Sequence, residues 1–272
     1  MSGKLTVLIP CKDEIRNIDN CIASARLVAD EVLVADSGST DGTLERAHQL
    51  ADRVVQREYV NSGDFKNWGI PQSACPWVFI LDADERITPE LADEIRQHVD
   101  REPDELAFSI PRRNFFLGYP VDHGDWARDQ VTRLIRRDEC RYCVKTDHSE
   151  IEVADNRLGY LNARLTHYTA WDLEPYLKKM HHYVSQQAEY WNERGKRASL
   201  FSVITCGPLR FLRTYFLRAG FRDGAVGFLI AAMTAYYSFL KRFHLWSLQN
   251  GRTREEIDKP IVIESFVAKR AA

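Results

Sequence analysis

An α/β fold built on a mostly parallel sheet is what this chain of 272 residues predicts. Three observations carry that prediction. Short apolar runs alternate four times with segments of helical period, and no short hairpin signal separates them. The runs are apolar throughout, as strands buried on both faces of a parallel sheet are. Polar and acidic residues gather just past the ends of those runs, where open α/β sheets bind their ligands.

Leu5-Thr6-Val7-Leu8-Ile9-Pro10 reads as the first strand, ended by proline. Ile15, Ile18, Cys21, Ile22, Ala25 and Val28 follow at helical spacing and give a helix with one apolar face. Glu31 to Asp36 is the second strand; it runs into Ser37-Gly38-Ser39-Thr40-Asp41-Gly42-Thr43 and a helix that Thr40 or Asp41 is suited to cap. Arg53 to Arg57 is a short third strand, and Asp64 to Ala74 is expected to be helical until Pro71 disturbs it. Trp77-Val78-Phe79-Ile80-Leu81-Asp82 is the fourth strand. A helix follows it, with Thr88 as cap and Pro89 in the first helical position. From Leu106 the pattern changes: residues 107–112 and 131–136 read as strands around a long aromatic and polar loop, Arg113 to Gln130. Asp172 to Arg194 then reads as a long amphipathic helix.

The fourth strand ends in Asp82-Ala83-Asp84. Two carboxylates at that spacing can converge on one cation, and hard cations such as Mg²⁺ take carboxylate and phosphate oxygens. Alone, the pair fits an acidic turn equally well. Its neighbours sharpen it: Pro10, Lys12, Asp13 and Glu14 follow the first strand, Asp36 and the glycine-bearing loop follow the second, and Lys66 lies near a helix start. Together they predict a nucleotide-plus-metal site. No G-x-G-x-x-G follows the first strand and no G-x-x-x-x-G-K-[ST] occurs, which disfavours a dinucleotide oxidoreductase and a P-loop NTPase.

Composition narrows the remaining classes. Lys and Arg total 37 against 39 Asp and Glu, a net charge of −2, so no overall field attracts nucleic acid. The six cysteines show no disulfide-framework spacing, and the N-terminal apolar stretch is too short for a signal peptide, so a reducing cytoplasm is expected. Cys140-x-x-Cys143 with His148 invites a zinc reading, but structural zinc usually needs a second half-site, which is missing. From Leu200 the chain turns apolar, aromatic and basic. The charge-free run Gly224 to Leu240 spans 17 residues, the bottom of the roughly 17–25 needed to cross a bilayer. Arg210, Arg213, Arg218, Arg222, Lys241 and Arg242 punctuate this region, a pattern that suits a membrane interface or helices packed with their arginines wet.

The Val-x-Ile-Pro-x-x-x-Glu start, the Val-x-Asp-Ser-Gly-Ser-Thr-Asp-Gly-Thr segment and Leu-Asp-Ala-Asp-Glu-Arg resemble the inverting family 2 glycosyltransferases. Ile110-Pro111-Arg112-Arg113-Asn114, Phe116-Leu117-Gly118, His123-Gly124-x-Trp126, Arg133 to Arg137 and Tyr215 to Gly224 are similar to one subgroup, the lipopolysaccharide-core β-glucosyltransferases. The resemblance runs from about Lys4 to Trp246. It implies a GT-A fold, α/β with a mostly parallel sheet flanked by helices and a C-terminal helical extension. The implied division is residues 1–170 as catalytic domain, 171–250 as helical extension contacting membrane or a second copy, and 251–272 as tail. It implies transfer of a sugar with inversion from a nucleotide-sugar donor, a UDP-sugar by expectation, with Mg²⁺ or Mn²⁺. The acceptor implied is a glycan or lipid-linked sugar of the cell envelope, met at the inner face of the cytoplasmic membrane by peripheral attachment.

Carried over by residue, the resemblance places Pro10, Glu14 and Asp36 in the nucleoside pocket, Lys66 beside the donor phosphates, Asp82 near the ribose or a metal-bound water, and Asp84 on the metal. Inversion also needs a base for the acceptor hydroxyl. The subgroup commonly shows Val-His-Glu there, whereas this chain reads Thr146-Asp147-His148-Ser149-Glu150. Glu150 is the favoured base, ahead of Asp147, and Asp125 is the runner-up. Trp126 and Tyr119 are expected as stacking surfaces for an acceptor sugar or as packing anchors. The alternatives kept open are a nucleotidyltransferase and a non-catalytic nucleotide-sugar-binding or scaffold protein.

Overall fold

A computed structural model describes residues 3–143 and 150–258. Within them the chain forms two compact units, one comprising the residues to Tyr176 with Arg213–Ala231, the other Leu177–Leu212 with the residues from Ala232.

The first unit is organised by a ten-stranded sheet. Four strands, β1 (Leu5–Cys11), β2 (Glu31–Asp36), β3 (Arg53–Gln56) and β4 (Trp77–Ile80), are parallel in the order β3-β2-β1-β4. Burial on both faces explains their unbroken apolarity. Leu5, Val7, Val32, Val34, Trp77 and Phe79 point into a core completed by α1 (Ile18–Ala25) and by the later helix that opens at Pro89. Leu8, Leu33, Val78 and Ile80 point the other way, against Phe65 and Ile70. The register Cys11↔Asp36 and the bond from Leu81 N to Leu8 O set the three strand ends that carry Pro10, Asp36 and Asp82 side by side.

Most local expectations hold, with instructive shifts. The helix α2 (Thr43–Leu50) is capped at Gly42, whose φ of +98° suits glycine, and Asp41 accepts from Thr43 N across it. Thr40 instead donates its N–H to Asp13. The third helix, α3 (Ser62–Gly69), starts earlier than expected, under an Asn61 cap, and stops before Pro71, which has no N–H to continue the ladder. After the two-residue strand β5 (Glu85–Arg86), α4 (Pro89–Asp100) has the expected Thr88 cap, accepting from Leu91 N.

The aromatic loop is more ordered than its sequence suggests. Strand β6 (Ala107–Phe116) continues to Phe116, turns through Leu117 and Gly118 (both with positive φ) and returns as β7 (Tyr119–Val121). Strand β8 (Gln130–Arg136) pairs antiparallel with both β4 and β6. Two short strands, β9 (Arg141–Tyr142) and β10 (Ile151–Glu152), pair antiparallel with each other, and β11 (Leu158–Tyr160) extends the sheet beside β6. The last strand, β12 (Leu165–Ala170), lies between β6 and β5. That final pairing sets His167 opposite Glu85, beside the Asp82–Asp84 turn.

Long helices follow: α5 (Leu173–Glu193), α6 (Leu200–Leu212) and α7 (Gly224–Asn250), then a single turn α8 (Arg254–Ile257). In the second unit α6 packs on α7 at Gly207, where an added Cβ would lie 3.4 Å from Ala235 O. Among the described residues, the helical run Gly220–Asn250 is long and apolar enough to cross a membrane by length and composition. All six cysteines are free thiols, and no group of three or more metal-binding side chains occurs among the described residues. His148 and Asp147 lie outside the described residues.

Candidate active site

Two loops make the first wall. Asp13 takes a left-handed φ of +53°, which aspartate tolerates, and receives Thr40 N at 2.7 Å while its own N–H donates to Ser39 Oγ. Glu14 N donates to Thr43 Oγ1 and Ile15 N to Asp41 Oδ2, so the loops after β1 and β2 are laced together. Asp36 is fully buried and holds the second loop by accepting Gly38 N and Ser39 N at 2.9 and 3.0 Å. Pro10 and Glu14 stay partly open beside it, with Asn17 donating to Glu14 Oε2.

The Asp82–Asp84 turn is set by charge. Glu85 is fully buried and accepts from Arg133, at 2.7 Å, Arg112, at 3.2 Å, and the backbone N–H of Asp82. Arg133 reaches from β8 to clamp Asp82 as well, and Lys66 on α3 meets Asp82 Oδ1 at 2.8 Å. Burial alone would raise the Asp82 pKa, but Arg133 and Lys66 outweigh it and hold the carboxyl well below the usual carboxylate range. Burial would likewise lower the Arg133 pKa, and Asp82 and Glu85 raise it well above its ordinary value. Asp82 and Lys66 thus neutralise each other across the site.

Asp84 has a different neighbour. Its Oδ2 lies 3.6 Å from Nε2 of His167. The tautomer of that ring follows from Asn114. The Asn114 NH₂ donates to Trp126 O and to Asp129 Oδ2, so its Oδ1 faces His167 Nδ1 at 2.6 Å and receives the Nδ1 proton. In the neutral ring this leaves the Nε2 lone pair on the side of the Asp84 carboxylate. Two ligands about 2.1 Å from one ion stand about 3.0–4.2 Å apart, so the observed spacing fits a shared divalent cation. Further coordination would come from phosphate oxygens of a ligand and from water, as is usual for Mg²⁺. His167, Asn114, Glu85 and Arg133 were not singled out for the site from sequence. His167 lies remote in the chain, and only the β5–β12 pairing, which sequence spacing does not encode, brings it to the turn.

Glu150 is exposed and sits on the rim of a cavity of about 690 Å³ that Ser109, Arg112, Arg133 and Tyr142 also line. Arg133 thus connects the Asp82 turn with the cavity that Glu150 faces. Asp125 lies elsewhere: Thr214 donates to it at 2.9 Å, and Arg213 and Arg218 stand 3.9 and 3.8 Å away. Its loop is further pinned by Asp223, which accepts from the backbone of Asp122 and His123 and faces His123 Nδ1 at 2.6 Å. Trp126 packs edge-on against Phe116 and near Tyr176, as an anchor, whereas Tyr119 is exposed. A second aromatic surface went unread in the sequence: exposed Trp171 stacks on Tyr168, and Arg86 lies over the Tyr168 ring. With Asn17, Asn20 and Asp172 they line a cavity of about 810 Å³.

Residues 6–159 match the sequence family described as Glycosyl transferase family 2. The chain is 28% identical over 262 residues to the lipopolysaccharide core biosynthesis glycosyltransferase LpsC of Rhizobium meliloti (strain 1021), covering 93% of this chain and 96% of that protein. It is 27% identical to a glycosyltransferase of Rickettsia bellii, over 99% and 96% of the two chains. Among solved structures, S. aureus TarS 1-349 in complex with UDP-GlcNAc aligns at a TM-score of 0.46 and 15% identity, covering 92% and 93%.

Proposed function

The chain belongs to glycosyl transferase family 2 and is a glycosyltransferase with the family's GT-A fold; on that premise we propose that it moves a sugar, with inversion, from a nucleotide-sugar donor to an envelope glycan or lipid-linked acceptor. The observation that carries the donor half is the facing of Asp84 Oδ2 and His167 Nε2 at 3.6 Å beside the neutralised Lys66–Asp82–Arg133 cluster. Pro10, Glu14 and Asp36 shape the nucleoside pocket between the two laced loops. Asp84 and His167 would hold Mg²⁺ or Mn²⁺, and the bound cation would offset the charge developing on the leaving diphosphate. Lys66 and Arg133 hold Asp82 ionised and fixed, so its carboxylate would meet the donor ribose, or water near the cation, without reorganising.

Glu150 is our choice of base. Its carboxylate takes the acceptor hydroxyl proton as that oxygen bonds to the sugar C1 and the C1–diphosphate bond breaks. Its place on the rim of the cavity that Arg133 also lines supports this assignment. Asp125 is the weaker choice because Thr214 and two arginines already engage it. Similarity to LpsC over nearly the whole chain supports a lipopolysaccharide-core acceptor. Exposed Phe216, Leu217 and Phe221 between Arg213 and Arg222 support peripheral contact with the inner face of the membrane.

The test is a thermal-shift screen of nucleotide-sugars with and without Mn²⁺, followed by turnover of the donor that binds. A cognate donor should raise the melting temperature through mass action, more strongly with Mn²⁺, and Asp84→Asn should remove the metal-dependent part. Glu150→Gln should keep that shift and lose transfer by about two to four orders of magnitude. No shift with any donor would sink the proposal, and full turnover by Glu150→Gln would move the base elsewhere.

A further inference from the structure

The second unit gathers positive charge around one indole. Lys196 Nζ lies 3.7 Å from the centre of a Trp191 ring, Lys241 Nζ 5.5 Å and the Arg242 guanidinium 5.4 Å. Lys241 also stands 4.1 Å over Tyr237. The three cations come from α7 and from the turn after α5. That turn is fastened to α7, because Gln249 donates to Lys196 O at 2.7 Å and accepts from Ala198 N. Among the described residues no carboxylate forms an ion pair with Lys196, Lys241 or Arg242.

Aromatic faces attract cations but do not cancel their charge. Three like charges around one ring therefore repel unless an anion joins them. Burial, then Arg210, Lys196 and Arg242, push the Lys241 pKa down to about 8, while Cys206 opposes this weakly. The same unit leaves an apolar stripe exposed along α6, with Phe201, Ile204, Leu209 and Leu212 at helical spacing and Phe201 77% exposed. Cations beside an exposed apolar helix face are the combination that a charged bilayer surface recognises.

We propose that Lys196, Lys241 and Arg242 form a binding site for the phosphate of an anionic lipid head group. The phosphate oxygens accept from the two ammonium groups and the guanidinium, with Trp191 and Tyr237 as walls and the α6 stripe against the acyl region. Arginine and lysine both suit phosphate, the first through paired N–H groups and the second as a point charge. The site is independent of the catalytic assignment, since none of its residues belongs to the donor or base machinery and its test needs no turnover.

The experiment is co-sedimentation of the full chain with phosphatidylcholine vesicles, with and without phosphatidylglycerol. Wild type should bind the anionic vesicles only. Lys196→Gln/Lys241→Gln/Arg242→Gln should lose about a hundredfold in affinity, given about a factor of five per basic residue at such a surface. A control of equal charge change in the same unit, Lys178→Gln/Lys179→Gln/Arg197→Gln, should lose less than about tenfold. Because Lys241 is partly buried, exposed Lys196→Gln alone should still weaken binding about fivefold with an unchanged melting temperature. Equal losses in cluster and control variants would overturn the proposal, as would binding to uncharged vesicles. Stabilisation by inorganic phosphate that the cluster variant loses, with vesicle binding unaffected, would overturn the lipid assignment and leave a soluble phosphate as ligand.

Discussion

The chain holds two clusters of basic side chains that solve the same electrostatic problem in opposite ways. Around the Asp82–Asp84 turn, Lys66, Arg112 and Arg133 meet Asp82, Glu85 and Asp129 at hydrogen-bond distance, so each of these three cations has an internal counter-charge. Around Trp191, Lys196, Lys241 and Arg242 meet aromatic faces and, among the described residues, no carboxylate. The first arrangement fixes geometry: moving the fully buried Glu85 or the clamped Asp82 away from its partners costs free energy by stranding charge. The second fixes nothing by itself and is satisfied only when an anion arrives. Compensated charge thus marks a scaffold for chemistry, and uncompensated charge marks a docking point.

The sharpest way to break that contrast is to remove one cation from each cluster. Arg133→Met leaves Glu85 buried and Asp82 half-compensated, and should lower the unfolding free energy by about 3–5 kcal/mol. Arg242→Met removes a repulsive neighbour and should change it by less than about 0.5 kcal/mol, or raise it slightly. Urea unfolding of both variants decides the matter. If Arg133→Met cost no more than Arg242→Met, the distinction between the two clusters would fall.

A smaller effect tests the metal site proposed beside the compensated cluster. Asn114 stands outside the proposed Asp84–His167 pair, yet by accepting the Nδ1 proton it directs Nε2 of the neutral ring toward Asp84. Asn114→Ala should weaken Mn²⁺ binding by about 10–100-fold, the usual range for an outer partner of a metal-bound histidine. The melting temperature of the metal-free protein separates this from loss of fold. Were Mn²⁺ affinity unchanged in a variant that still folds, His167 would not be a ligand.

How much of this was readable in the sequence follows from how local each feature is. The parallel strands and the position of Asp82 and Asp84 were legible because burial writes itself into continuous apolar runs such as Trp77–Ile80. The caps were legible where a single residue type dictates them, as at Thr88. The hairpin at Leu117–Gly118 was not, since leucine is a poor signal for a positive φ. His167 and Arg133 were missed for a deeper reason. Their roles arise from pairings of β12 with β5 and of β8 with β4, and long-range pairing leaves no periodic trace in the chain. The uncompensated cluster was half legible: Lys241 and Arg242 stood out as basic residues, but nothing in sequence showed that Lys196 and Trp191 join them.

The smallest expected effect concerns Lys241 and carries the comparison into pH. Its folded pKa, pushed down to about 8, lies below the ordinary lysine value of about 10.4 in the unfolded chain. Between those two values the unfolded chain binds a proton that the folded chain has released. Stability should therefore rise with pH across that window, the reverse of a group stabilised by a carboxylate. A shift of this size would amount to about 3 kcal/mol at about 1.36 kcal/mol per pH unit, but Lys241 is only partly buried and solvent screening reduces it to about 1 kcal/mol. The groups facing it are Lys196, Arg210, Cys206, Tyr237 and Arg242, with Tyr183 acting on Tyr237. Subtracting the pH profile of Lys241→Met from that of wild type isolates the one lysine from these neighbours. If a phosphate occupies the cluster it supplies the missing counter-charge, so the rise with pH should flatten when a soluble phosphate head group such as glycerol phosphate saturates the site. A profile as steep with that ligand as without it would mean that the three cations never share an anion.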